Sequence, residues 1–372
     1  MSPREAYLAL NLIPNVGPVR VRRLLEVFGD PASILRAPAD RIRAIEGFGS
    51  ELATALTKWE DTIDIQVEIR KVREKGLKVL ITDDANYPAP LREIHNPPLV
   101  LYVWGELTEA DRHAVALVGS RNCTHYGRKT AQKFAFQLGH AGYTVISGMA
   151  RGIDTAAHEG AVASKGRTVA VLGSGIGQLY PPENEALARR IIEGGQGAVV
   201  SEFPVDYPPD RQSFPLRNRI VSGWSCGVVV IEAAQRSGAL ITANMAAEQG
   251  RSVYAVPGPI DRPSSQGCNR LIQDGARLVM DGTDIVDDLN LLFPVAMARE
   301  APELFPTGPL VELSETEQKV YDAIGDGEEV SIDDITTGSG LSGSEVSALL
   351  MRLEMKRLVK PLPGSRYVKL IG

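Results

Sequence analysis

The 372-residue sequence predicts an α/β chain with a Rossmann-like parallel sheet at its centre, helices before it and a small helical module after it. Three observations carry this. From residue 113 onward, short β-branched runs bounded by glycine recur about every 30 residues, the rhythm of βαβ units. Amphipathic stretches such as 128–140 and 241–249 fill the gaps between them, as crossover helices must. The runs are nearly continuous in apolar residues, which fits strands covered on both faces. Right-handed crossovers wind such units into a doubly wound sheet, but strand order is not readable from sequence.

Taken in order, residues 1–75 read as short helices separated by glycine turns. Leu12-Ile13-Pro14-Asn15-Val16-Gly17 leads into an amphipathic run from Val21 to Phe28, and Ile45-Glu46-Gly47-Phe48-Gly49 leads into 51–56. Apolar-x-Gly turns that open a helix have the shape of a helix-hairpin-helix unit, whose amides can hold a DNA phosphate. A helical bundle with glycines at tight turns reads the same way. Residues 77–112 hold strands at 77–81 and 99–104 around a proline-rich bend. The core strands are expected at 114–118, 144–146, 168–172, 198–200, 228–231 and 253–256. The stretch 287–312, with Pro294, Pro302, Pro306 and Pro309, reads as a linker. Helices at 315–323, 332–336 and 345–356, then a hairpin at 359–361 and 367–370, follow the order of a winged helix-turn-helix. The expected domains are therefore 1–75, 76–286, 287–312 and 313–372.

Composition bounds the function. With 44% hydrophobic and 23% charged residues, the chain has the material for a sizeable core. No run approaches the roughly 18 apolar residues of a membrane span, and the first ten residues show no export signal. The three cysteines are scattered without metal-ligand spacing, so a cytoplasmic location is expected. The net charge of −6 disfavours a nucleic-acid partner only at first sight. Most of the acidity sits in the tail, leaving a mildly basic middle. The expected third tail helix mixes Glu345 and Glu354 with Arg352, Lys356 and Arg357, so protein contact is expected there rather than DNA binding.

In open parallel sheets ligands lie beyond the carboxyl ends of the strands. After the first core strand comes Gly119-Ser120-Arg121, with no G-x-G-x-x-G and no acidic residue after the second strand to hold a ribose. That disfavours a dinucleotide oxidoreductase, and no cofactor is expected. A glycine, a hydroxyl and an arginine before a helix instead suit a phosphate. The second strand ends in Ser147, Gly148 and Arg151, and the third in Gly173-Ser174-Gly175. After the fourth, Phe214 beside Arg217, Asn218 and Arg219 can stack a base and neutralise its backbone. Ser237 follows the fifth. Together these polar loops predict one extended polyanion site at a single sheet edge.

Catalysis is not expected. The five histidines are dispersed, no cluster has metal spacing, and Glu202 and Glu232 are expected to hold loop amides or arginines. A phosphoribohydrolase on a related fold needs a P-G-G-x-G-T-x-x-E loop, whereas Pro257-Gly258 continues into Pro259-Ile260-Asp261. A duplex-binding winged-helix regulator is the other alternative, disfavoured by the acidic tail.

Motifs in this order resemble the DprA/Smf (DNA processing protein A) family. They include VALVGSRNCTHYG at 115–127, VISGMARGIDTAAHEGA at 145–161, VAVLGSGIGQLYPPEN at 169–184, FPLRNRIVSG at 214–223 and IEAAQRSGALITA at 231–243. The resemblance implies a Rossmann core that binds single-stranded DNA, protects it and helps load the recombinase RecA in natural transformation. It also implies a homodimer and no established catalytic activity. The family's DNA pocket would map onto Gly119, Ser120, Arg121, Arg151, Phe214, Arg217, Asn218 and Arg219. The N-terminal helices resemble a sterile-alpha-motif-like domain. The tail resembles the family's winged helix, except that Lys356-Arg357 stands where glycine is common.

Overall fold

In the computed structural model, which describes residues 1–292, 313–325, 330–356, 358–362 and 365–369, the chain divides into two units, Met1–Glu300 and Ala301–Gly372. In the first unit the strands are β1 (Lys78–Ile81), β2 (Val100–Gly105), β3 (Ala114–Val118), β4 (Thr144–Ser147), β5 (Thr168–Val171), β6 (Gly197–Ser201), β7 (Gly227–Val230), β8 (Ser252–Ala255) and β9 (Arg277–Leu278). They form one sheet in the order β1-β2-β6-β5-β4-β3-β7-β8-β9. From β6 to β9 along this order every pairing is parallel, while β2 runs antiparallel to both β6 and β1. Every residue of β3, β4, β5 and β7 is buried, which is why those strands read as unbroken apolar runs.

Alternate residues feed opposite faces. Val115, Leu117 and Val145 pack under helices His125–His140, Ile153–Ala163 and Gly282–Leu292. Ala114, Ala116 and Val228 pack under Ser213–Trp224 and Gly238–Glu248. At the β1 side, Tyr102, Ala170 and Val199 share a core with the N-terminal helices. Those helices begin where the sequence marks them. Pro3, Pro18 and Pro31 each sit in a first turn, and Gly17 and Gly49 cap the helices Pro18–Phe28 and Ser50–Thr57.

The chain builds β3 through β6 in one direction, then returns along helix Ser213–Trp224 to place β7 on the other side of β3. The strand order therefore reverses between β3 and β7, and the crevice beyond their carboxyl ends is where an open α/β sheet takes its ligand.

Three segments depart from the sequence reading. Phe214, Arg217, Asn218 and Arg219 lie on a helix rather than a loop. Residues 287–292 of the expected linker close the helix Gly282–Leu292, whose Leu289 is buried, and 293–312 lie outside the described residues. The two-residue β9 extends the sheet beyond β8, too short to leave a periodic signal.

In the second unit, helices Glu315–Asp322, Ile332–Ser339 and Gly343–Met355 pack on a three-stranded sheet. Its strands are β10 (Val330–Ser331), β11 (Val359–Leu362) and β12 (Arg366–Lys369), in the order β10-β12-β11. This is a winged helix. Ser314 and Ser342 each form a reciprocal cap with Glu317 and Glu345. Lys356, just past the third helix, donates to Glu317 Oε2 at 2.8 Å, so it ties the third helix to the first. Arg357 and the expected hairpin residue Leu370 lie outside the described residues.

Candidate nucleic-acid interface

A cleft of ≈ 790 Å³ opens at this reversal point. Three walls meet there: the loop Gly119–Asn122 after β3, the turn holding Gly148 and Ala150 after β4, and one face of helix Ser213–Trp224. The helix contributes Phe214, Arg217, Asn218 and Val221, spaced i, i+3, i+4 and i+7, which a 3.6-residue period puts on one stripe. Ser237 caps helix Gly238–Glu248, accepting from the Ala239 amide at 3.3 Å, and closes the fourth side.

Arg121 is exposed, with its Cζ 5.0 Å from the Phe214 ring centroid, and it enters no ion pair among the described residues. The Phe214 ring lies 6.0 Å from that of Tyr180, tilted by 48°, and Arg151 stands 5.7 Å over Tyr180. Cation, ring, ring and cation thus succeed one another along the rim. Arg211 adds a second exposed guanidinium to the wall.

The loops are held by a polar frame behind them. Glu232, buried, accepts from the Thr124 hydroxyl at 2.6 Å, and its carbonyl takes the Ser120 amide at 2.7 Å. Gly152 has φ +76° and lies against the Ser120 and Arg121 carbonyls, where no side chain fits. A Cβ on Gly148 would lie 2.5 Å from Arg217 Nη2 and 2.7 Å from Asp154 Oδ2. Asp154 is buried and accepts from the amides of Gly148 and Ala150 at 3.1 and 3.2 Å. Burial raises its pKa, against the pull of the Arg217 charge. Burial likewise lowers Arg217 to about 10, against the pull of Asp154.

Of the residues singled out from sequence, Gly119, Ser120, Arg121, Gly148, Phe214, Arg217, Asn218 and Ser237 line the cleft. Four are placed otherwise. Ser147 is buried and its hydroxyl donates to Leu117 O at 2.7 Å, tying β4 to β3. Gly173 lies behind Phe214, where a Cβ would meet the ring at 2.5 Å. Arg151 stands at the rim, paired with Glu183. Arg219 points away, because two residues after Arg217 the helix has turned about 200°. Its guanidinium grips both oxygens of Glu202 at 2.6 Å and donates to Asn96 O at 3.1 Å.

Arg217 itself reaches the cleft with little to spare, since it is 4% exposed and donates to the carbonyls of Gly148, at 2.7 Å, and Val171. Nor does Arg121 directly precede a helix, since Thr124 caps the helix that begins at His125. Sequence reasoning missed Tyr180 and Arg211. An aromatic after the third core strand was as visible as Phe214. The Pro257–Asp261 turn lies outside the cleft lining, and Asn269 holds Gly258 through two hydrogen bonds of 2.9 and 3.1 Å.

The fold and cleft together define a doubly wound α/β protein with its ligand crevice at the sheet's switch point, followed by a winged helix. The DNA recombination-mediator protein A model matches residues 78–290. A DprA winged helix domain matches 306–365, and a SAM-like helix-hairpin-helix tandem matches 7–58. Protein Smf of Synechocystis sp. is 32% identical, over 98% of this chain and 98% of its own length. DNA processing protein A of Streptococcus pneumoniae superposes with a TM-score of 0.67 at 32% identity, covering 77% of this chain and 98% of that one. The Helicobacter pylori protein, solved for its single-stranded DNA binding mode, gives 0.51 at 26% identity, over 57% of this chain and 95% of its own. The chain belongs to the DNA recombination-mediator protein A (DprA/Smf) family, a family of DNA-binding recombination mediators.

Proposed function

We propose that the chain binds single-stranded DNA in the switch-point cleft, protects it, and helps load RecA onto it in natural transformation or homologous recombination. The observation that carries this reading is the rim, where two neighbouring aromatic rings are flanked by arginines. Arg121 and Arg211 offer exposed guanidinium groups to phosphate, while Phe214 and Tyr180 offer ring faces to bases. The single-stranded DNA binding reported for the Helicobacter pylori relative and the family's recombination-mediator description support it. The chain works in this reading by binding rather than catalysis, in the cytoplasm, and as a homodimer. No described helix is long and apolar enough to cross a membrane, and the three cysteines are unpaired. The exposed apolar side chains of Leu278, in the edge strand β9, and of Met280 just after it support association with a second copy.

Titration of the full chain with labelled oligothymidylate and with duplex of equal length tests the reading. Single strands bind more tightly, and the slope of log K against log salt is about −3.5 for about five neutralised phosphates. Duplex binding of equal strength overturns it.

A further inference from the structure

A second pocket of ≈ 450 Å³ lies on the far side of the turn that carries Tyr180. Residues Gln178 and Leu179 of that turn line it, and the next residue, Tyr180, lines the main cleft, so one short ridge separates the two. Trp104, partly exposed near the end of β2, forms its wall, and the Cζ of Arg189 stands 5.7 Å over the indole. Lys75 is exposed at the mouth and enters no ion pair among the described residues. Leu77 and Ile176 make an apolar floor.

The arrangement at Phe214 and at Tyr180, an aromatic ring with an arginine against its face, thereby recurs across the ridge. Arg189 also pairs with Glu185 at 2.7 Å, one turn back on its helix. That pairing leaves Lys75 as the uncompensated charge of the pocket.

We propose that this pocket takes a further nucleotide of the same single strand, its base against Trp104 and its phosphate at Lys75. The strand would pass from the main cleft over Tyr180. Base stacking tolerates any sequence because every base has a π-face, and a basic group beside the ring neutralises the phosphate. This rests on the proposed function, and its test separates the two.

Trp59 and Trp224 are buried, so of the chain's three tryptophans Trp104 dominates quenching by acrylamide. Oligothymidylates of about four and about twelve nucleotides, within the range a binding groove covers, are titrated against the full chain. The longer one shields Trp104 from acrylamide and the shorter one leaves it open. Trp104→Ala weakens the longer oligonucleotide roughly 5- to 150-fold and leaves the shorter unchanged, and Trp104→Phe restores most of the loss. Lys75→Ala makes the salt slope shallower by about 0.7 for the longer oligonucleotide only, a readout independent of packing at Trp104. A longer oligonucleotide that binds with Trp104 as open to quencher as in the free protein overturns the second site and leaves the main cleft standing. Binding of neither length overturns both.

Discussion

The loop after β3 and the helix Ser213–Trp224 each bring arginine to the same cleft, yet they use it in opposite ways. Arg121 on the loop is exposed, lies over an aromatic face and enters no ion pair among the described residues. Arg217 on the helix is buried against two carbonyls and the Asp154 charge, and Arg219 is locked to Glu202. An exposed guanidinium stays hydrated and keeps its hydrogen-bonding fork for a ligand. A buried one has lost that water, and only fixed protein partners offset the desolvation. The loop leaves its arginine open to the cleft, whereas the helix commits its two arginines to partners within the protein. Neither Glu202 nor Asp154 pairs with Arg121, so bracing of the loop by that arginine has no ion-pair partner among the described residues.

The contrast is broken most directly at Arg217. Arg217→Ala leaves Asp154 buried without its compensating charge and two carbonyls without a donor, and should destabilise the fold by about 3–5 kcal/mol. Urea denaturation checks this. A parent-like stability with lost affinity would mean that the helix, too, serves the ligand.

Arg217 also acts on His158, which is buried in helix Ile153–Ala163. Burial first, and the Arg217 charge second, lower its pKa from 6.5 to about 3. Below pH 6.5 the unfolded chain takes up a proton that the folded chain refuses until about pH 3. Stability present above pH 6.5 is therefore lost as pH falls through that window, by about 2 kcal/mol on reaching pH 5. His158→Asn should flatten this dependence, measured as melting temperature against pH.

Phe214 sharpens the comparison because it belongs to the helix yet faces the cleft. Phe214→Ala should cost about 1–3 kcal/mol of oligothymidylate affinity, with an unchanged salt slope. A lowered melting temperature with unaltered affinity per folded molecule would assign the ring to packing against Gly173. The smallest effect is expected at Arg121. Arg121→Ala should leave the melting temperature unmoved, weaken binding to all sequences alike and make the salt slope shallower by about 0.7. Arg121→Lys should keep the slope and lose part of the affinity, since the charge survives and the fork does not. A parent-like slope for Arg121→Ala would remove this residue from the phosphate site.

Much of the fold was legible because burial leaves a periodic trace. The strands β3, β5 and β7 were visible as apolar runs within a residue of their ends, and the glycine-capped N-terminal helices were visible from Gly17 and Gly49. The helix carrying Phe214 was not, since SFPLRNRIVSGW buries Ser213, Arg217 and Ser222 while leaving Leu216 exposed, so its apolar residues trace no clean stripe. The loops of the site were found through glycine, serine and arginine placed after strands. Tyr180 carried the same signal as Phe214, an aromatic after a core strand, whereas nothing in the neighbourhood of Arg211 marks that it reaches the cleft.

The sequence by itself determined the parallel-sheet class, the order of its segments and the chemistry available at the carboxyl edge. Those follow from local rules: apolar periodicity, turn residues and the positions of caps. Only the tertiary structure decided that the strand order reverses between β3 and β7, and so where the cleft opens. It alone decided which arginines are paired within the protein and which stay open to the cleft. Arg121 and Arg219 are the same residue type in similar company, and what separates them is a carboxylate 17 residues from Arg219 in sequence, held 2.6 Å away by folding. Pairing of that kind depends on distance in space, which spacing along a chain does not encode.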